Sequence, residues 1–409
     1  MKSSLRHLIN VAAILAVTCA HASCAPALRQ LTVRGDVETG GYSSFGIDLY
    51  KELLKEKPGV NIFISPASVR FALAMTYNGS AGETRAEMAS TLGVPDVRLE
   101  TVNTTDSTLI GRMNDSIPGV KLSVANSLWA RQGLAFRESF LERNARYYGA
   151  EIVMLDFSSP GSPARINQWV ARKTNDKITK IVDKIDADAI LFLINAIYFK
   201  GTWTREFDKN LTREESFHLL DGATSPHPMM KQSGKYDYLE GNGFQAVRLP
   251  YGDGRIAMYV FLPGVVSSLE RFHEELSGGT WDTWIRSFLP RTGRIVIPRF
   301  RLAYESSLKQ SLVALGMGVA FDQARANFSG MCETAGGNVY ISDVVHKTFI
   351  DMNEEGTEAA AVTSVEMRAT SAVESERPFE MIVDRPFFFA IRDDETGLVL
   401  FMGSIVNPE

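Results

Sequence analysis

From Glu354 to Ser364 the chain is written as a β-strand, yet it opens a long loop about fifty residues from the C-terminus. Taken every second residue from Thr357, one face is Thr357, Ala359, Ala361, Thr363, Val365 and Met367, small at first and then apolar. The other face carries Glu358, Ser364, Glu366 and Arg368, with Ala360 and Val362 between. That is the two-residue period of a half-buried strand. Alanine and glutamate are poor strand formers in isolation, and no proline breaks the run. Such a segment sits in a sheet only where flanking strands make room for it.

The rest of the chain supplies strands in quantity. Apolar spacing predicts an amphipathic helix from Tyr42 to Lys55, through Phe45, Ile47, Leu49, Leu53 and Leu54, and a buried one after Pro66 through Phe71, Leu73, Ala74 and Met75. Ser162-Pro163 before Ile166, Trp169 and Val170 reads as an N-cap, a first-turn proline and a helix. Strand signals then dominate at Leu191 to Phe199, Ala246 to Leu249, Ile256 to Leu262, Arg294 to Ile297, Val339 to Ile341, His346 to Met352, Phe387 to Ile391 and Leu398 to Ile405. A helical N-terminal third followed by long strands predicts an α+β fold of large antiparallel or mixed sheets. No linker-like or low-complexity stretch divides the 409 residues, so one large domain is expected.

Several function classes are disfavoured. A net charge of −5 with scattered Lys and Arg gives no footprint for nucleic acid. There is no Gly-x-Ser-x-Gly elbow, no His-Glu-x-x-His, and no Walker or dinucleotide glycine pattern, so no enzyme is expected. His273-Glu-Glu-Leu lacks a second histidine at helical spacing, and neither a metal nor a cofactor is expected. Gly79-Ser-Ala-Gly82 reads as a turn between helices.

Four segments lie in an order that matches a known family: Asn61-Ile-Phe-Ile-Ser-Pro-Ala-Ser68, Asn195-Ala-Ile-Tyr-Phe-Lys-Gly-Thr-Trp203, Val383-Asp-Arg-Pro-Phe-Phe-Phe-Ala-Ile391 and Leu400-Phe-Met-Gly-Ser-Ile-Val-Asn-Pro408. With the strand-like loop, they resemble the serpins from about residue 40 to the C-terminus. The resemblance implies three β-sheets, eight or nine helices and an exposed reactive-site loop at about 354–378. It implies a suicide inhibitor of serine proteases, whose cleaved loop inserts into the protein's own main sheet.

The resemblance also assigns roles. Glu354, Glu355, Gly356, Thr357, Glu358, Ala359, Ala360 and Ala361 match the hinge, where Gly356 is a pivot and the small residues offer little resistance to entry. Ser65, Ser68, Asn195 and His346 match a polar "shutter" cluster under the main sheet, and Trp203, Arg299 and Glu354 match the "breach" where the loop first enters. Counting fourteen residues from Gly356 places the scissile bond at Thr370-Ser371. A small β-branched Thr370 favours an elastase-like or other small-pocket protease. A shifted register puts the bond at Arg368-Ala369 and a trypsin-like protease in its place. The alternative is a non-inhibitory carrier, chaperone or storage protein, whose members often have bulky, charged or proline hinge residues, unlike this hinge. Near Val102, where some serpins carry a basic glycosaminoglycan-binding helix, Asp106, Arg112, Asp115 and Lys121 nearly cancel. A glycosaminoglycan partner is therefore not indicated, and a monomer is expected.

At the N-terminus, Lys2, Arg6 and His7 precede an apolar run from Leu8 to Val17, and Ala20-His-Ala22 supplies small residues for cleavage. A signal peptide over 1–22 is expected, with a single domain over 23–409 secreted to the extracellular space. The run is shorter than the roughly 20 residues that span a bilayer, so no membrane anchor is expected. Cys19 leaves with the signal, and Cys24 and Cys332 either pair or leave Cys332 free. N-x-Ser/Thr sequons at Asn78, Asn103, Asn114, Asn210 and Asn327 suit an extracellular glycoprotein.

Overall fold

The computed structural model describes residues 40–185, 189–265, 267–333, 339–357 and 377–408. The expected signal peptide, Cys24, hinge residues Glu358, Ala359, Ala360 and Ala361, and both candidate bonds at Arg368-Ala369 and Thr370-Ser371 lie outside the described residues.

The first part of the chain holds α1 (Gly40–Glu56), β1 (Ile62–Ile64), α2 (Pro66–Tyr77), α3 (Gly82–Thr91), α4 (Leu99–Met113), β2 (Val120–Arg131), β3 (Ala135–Phe136), α5 (Glu138–Tyr148), β4 (Glu151–Leu155) and α6 (Ser162–Lys173). Strands dominate afterwards: β5 (Leu191–Thr202), β6 (Arg213–His218), β7 (Thr224–Gly241), β8 (Phe244–Tyr251) and β9 (Ile256–Pro263). Helices α7 (Leu269–Glu275) and α8 (Gly278–Arg286) lead to β10 (Leu289–Pro298), β11 (Phe300–Ser307), α9 (Lys309–Ala314), β12 (Cys332–Glu333), β13 (Asp343–Asn353) and β14 (Gly356–Thr357). The chain closes with β15 (Phe379–Ile382), β16 (Phe387–Asp393) and β17 (Val399–Ile405).

These strands build three sheets, so the fold is mixed α+β. One has six strands in the order β11-β13-β14-β5-β2-β4, and one has nine, β1-β17-β16-β9-β8-β7-β10-β15 with β6 on β7. The third pairs β12 with β3.

Strand β5 shows why its sequence is almost wholly apolar. Leu191, Leu193, Ile197 and Phe199 face the main core, whereas Phe192 and Ile194 face a second cluster with Trp129, Ile166, Trp169, Val170, Ile181, Val182 and Val345. Alternation sends successive side chains to opposite faces, and here both faces are covered. Helix α2 packs on one side of β5 and β2, and α6 on them from the other cluster. Every residue of α2 is buried, Arg70 included, which accounts for a helix with no solvent-facing polar stripe.

Three local expectations differ from the structure. Val339 to Ile341 is not a strand: Ile341 N donates to Ala320 O at 2.9 Å, so this apolar run is spent on a loop contact. Ser162 is not an N-cap, since Gly161 holds that position and the Ser162 hydroxyl donates to Asp156 O at 2.5 Å. Asp106 is not a surface charge of α4 but a fully buried one paired with Arg70 at 2.6 Å.

Candidate functional site

The six-stranded sheet holds a partly filled gap. Strands β5 and β13 run parallel and pair from Asp343↔Phe192 to Lys347↔Ala196. Further along, β14 lies between them, with Gly356↔Thr202 and Thr357↔Gly201 on one side and Asn353↔Gly356 and Met352↔Thr357 on the other. Gly356 and Thr357, near the start of the strand-like segment, are thus already paired in the sheet.

Gly356 is required there twice over. Its φ of +150° suits glycine, and a Cβ would lie 2.0 Å from Gly201 O. Thr357 is 1% exposed, and its Oγ1 lies 2.7 Å from the Tyr251 hydroxyl. The Tyr251 ring stacks on Trp203 with centroids 4.3 Å apart.

The turn before β14 is tied down through its backbone and its carboxylates. Trp203 Nε1 donates to Asn353 O, Trp203 N to Glu355 O, and Phe207 N to Glu354 O, at 2.9, 2.9 and 2.8 Å. The Glu354 side chain is buried, receives Arg299 Nε at 2.8 Å and Nη2 at 2.5 Å, and accepts from Thr212 Oγ1 at 2.6 Å. Burial alone would raise its pKa, but the hydrogen bonds from Arg299 and Thr212 outweigh it and hold the carboxyl below its usual range. Glu355 pairs with Lys209. Trp203, Arg299 and Glu354 therefore converge at one end of the gap.

Beneath the middle of the sheet lies a buried polar chain. Ser65 N donates to His346 Nε2 at 3.0 Å, so the ring proton sits on Nδ1 and is donated to Asn195 Oδ1 at 2.9 Å. Asn195 Nδ2 in turn donates to Asn126 Oδ1 at 2.6 Å and to Ser68 Oγ. His346 and Asn195 are partners in the parallel β13–β5 ladder, and Asn126 faces Asn195 from β2. Burial drives the His346 pKa down to about 3, which keeps the ring neutral. Ser65 takes part through its backbone, and its buried hydroxyl finds no hydrogen-bond partner among the described residues. Ser65, Ser68, Asn195 and His346 lie together in this chain of hydrogen bonds, and Asn126 is a further member signalled only by an asparagine within an otherwise strand-like run.

A second buried polar group had no sequence signal beyond ordinary helix residues. Asp106 on α4 receives Arg70 from α2 at 2.6 Å, Tyr148 from α5 at 2.8 Å, and the Tyr42 hydroxyl from α1. The Arg70 guanidinium lies 3.5 Å from the Tyr42 ring centroid. Adjacent to it, Asn103 Nδ2 donates to Asn78 Oδ1 at 2.8 Å and Asn78 Nδ2 to Asn144 Oδ1 at 3.1 Å. Asn78 and Asn103 are thus buried and bonded, which overturns both as glycan acceptors of the folded chain, while Asn114, Asn210 and Asn327 are exposed. Cys332 is buried and makes no disulfide among the described residues, which do not include Cys24. Among the described residues, no group of side chains could hold a metal ion, and His273 is half-buried, 3.1 Å from the Tyr50 hydroxyl and 2.9 Å from Ser404 Oγ.

The family profile described as Serpin (serine protease inhibitor) matches residues 41–408. An uncharacterised serpin-like protein of Thermococcus kodakarensis is 36% identical over 90% of this chain and 85% of its own length. The leukocyte elastase inhibitor of Equus caballus is 33% identical over 89% and 97%. Among solved structures, the native state of the thermophilic serpin tengpin superposes with a TM-score of 0.83 at 33% identity, covering 90% of this chain and 93% of that one. A thyroxine-binding globulin in complex with thyroxine gives 0.82 at 27% identity, over 90% and 99%. Sheet architecture, a loop that begins inside the main sheet, and a match over nearly the whole chain agree: this chain belongs to the serpin family.

Proposed function

We propose that the protein is a secreted suicide inhibitor of serine proteases, acting by cleavage and insertion of its loop. The observation that carries this is the seating of Gly356-Thr357 between β5 and β13, with small residues following in sequence. In this reading the protease serine attacks the Thr370 carbonyl, the bond to Ser371 breaks, and Ser371 leaves as a free amine. The acyl-enzyme tether then follows the inserting strand. Insertion extends a backbone ladder that already exists and buries the Thr/Ala/Val/Met face. Displacement of the protease disturbs its oxyanion hole before water can deacylate it. A small Thr370 and the elastase inhibitor among the relatives support a small-pocket protease; cleavage after Arg368 would suit a trypsin-like one and shorten the inserted strand.

A carrier function is the second reading. It is favoured by an open pocket of about 500 Å³ beside α1 and α7, where Leu54, Val60, Leu220, Leu269 and Val406 are rimmed by Lys51, Lys55, Glu270 and Glu274, and by the thyroxine-binding globulin among the structural relatives.

Incubation with elastase-like, chymotrypsin-like and trypsin-like proteases, followed by denaturing gels and mass spectrometry of the released peptide, separates the readings. A complex that survives denaturation, with a fragment starting at Ser371, is expected; a start at Ala369 moves the bond to Arg368. Thr357→Arg should convert inhibitor to substrate, because a charge would have to enter a closed sheet. Cleavage without complex by every protease, and without a rise in thermal stability, would sink the inhibitory reading.

A further inference from the structure

The side-chain contact to Thr357 comes from the other large sheet. Tyr251 ends β8 of the nine-stranded sheet, yet its side chain reaches the gap in the six-stranded one. Its position is set by groups that do not belong to the loop. Gly201 leaves the slot for the ring, since a Cβ there would lie 2.7 Å from Tyr251 Cδ1. Phe199 meets the ring edge-on at 5.1 Å and Trp203 stacks on it at 4.3 Å. Backbone bonds from Gly252 N to Thr202 O and from Thr204 N to Pro250 O, at 2.8 and 2.9 Å, fasten the end of β8 to the end of β5.

The hydroxyl of this fully buried tyrosine is therefore presented at a fixed point beside Gly201, the residue opposite Thr357. There it meets the Thr357 hydroxyl at 2.7 Å. A buried hydroxyl that loses its partner is costly, whereas a matched apolar pair of the same shape is nearly neutral. The pair thus makes the slot selective for a small hydroxyl residue as the first one seated.

We propose that Tyr251 is a positioning residue for the hinge: it holds Gly356-Thr357 seated in the uncleaved protein, so that insertion starts from pairs already formed. The functional consequence rests on the inhibitory reading, but the seating does not. The chain entropy of bringing the loop to the sheet is met before cleavage, and propagation has only to extend the ladder. Loosening the seat slows the start of insertion relative to deacylation, so more inhibitor is consumed per protease trapped.

The test is hydrogen exchange on the uncleaved full chain, read in peptides covering 200–207 and 352–357, for Tyr251→Phe, Thr357→Val and the double variant. The amide of Trp203, which donates to Glu355 O, reports the seating directly. Each single variant should raise exchange in these peptides by roughly tenfold, and the double variant should recover most of the protection. Thr357→Val fills the same volume, and exchange in peptides from β9 and β16 controls for global loosening. Unchanged exchange in both single variants, or a double variant as unprotected as the two effects multiplied, overturns the proposal. Complex formation with the protease panel is scored separately. Absence of complex with the wild type would remove the inhibitory reading and leave the seating to be judged on exchange alone.

Discussion

Asp106→Asn is the substitution whose cost the structure specifies best. The carboxylate is wholly buried on α4 and receives hydrogen bonds from residues on α1, α2 and α5: Tyr42, Arg70 and Tyr148. Burial followed by the charge of Asp106 raises the pKa of both tyrosines, so each keeps its proton and can only donate to this acceptor in the pair. A carboxamide keeps the shape but offers one acceptor oxygen and points two N–H donors into a ring of donors. It also leaves the Arg70 guanidinium, about as buried as Asp106, without its counter-charge. Removing one member of a buried ion pair costs about 3–5 kcal/mol, and the retained amide oxygen places this variant near about 3. The comparison is Arg70→Met with Asp106→Leu, which removes both charges and should cost about 1 kcal/mol or less. Urea unfolding of the native protein, read at the first transition, measures both, since about 3 kcal/mol shifts the midpoint by roughly 1–3 M. A shift for Asp106→Asn worth under about 0.5 kcal/mol, or a double variant as unstable as the single, would refute the reasoning.

Other expectations follow from the same physics. His346 is held neutral, with a pKa of about 3 against 6.5 when unfolded, so the unfolded chain binds a proton that the native one does not. Its contribution to stability is complete above about pH 6.5 and is lost on acidification by about 1.4 kcal/mol per unit toward pH 3, with His273, lowered to about 4 by burial, acting in the same sense. His346→Gln should flatten that slope between pH 6.5 and 5, and an identical slope would count against the assignment. Gly356→Ala should unseat the hinge, because its Cβ meets Gly201 O and its φ is unsuited to alanine at a cost of about 1–3 kcal/mol; unaltered exchange across 200–207 would contradict this. If the chain is expressed through a eukaryotic secretory pathway, peptide mass spectrometry should find glycans only among Asn114, Asn210 and Asn327, and a glycan at Asn103 in the folded monomer would contradict its burial.

Much of the site is written in local pattern. The nearly continuous apolar run of β5 marks a strand covered on both faces, alternation along β13 marks one with a buried and a part-exposed face, and His346 within an apolar strand marks a buried polar contact. The same local rules misjudge Val339 to Ile341, because an apolar run reports burial and not the kind of neighbour that provides it. They also count Asp106 as a surface charge, since a carboxylate on a helix looks the same whether it faces water or Arg70.

The sequence alone determined the α+β class and the two-residue period of the loop, and its resemblance to a family named Ser65, Ser68, Asn195 and His346 as a cluster to look for. Tertiary structure alone decided that Gly356-Thr357 is already seated, that Asn126 completes the polar chain, and that Tyr251 meets Thr357 across a separation of 106 residues. The physical reason is that periodicity records which face of an element is buried, a property of neighbouring residues in the chain. Which buried groups meet depends on how strands from distant parts of the chain are ordered and registered, and no local pattern carries that information.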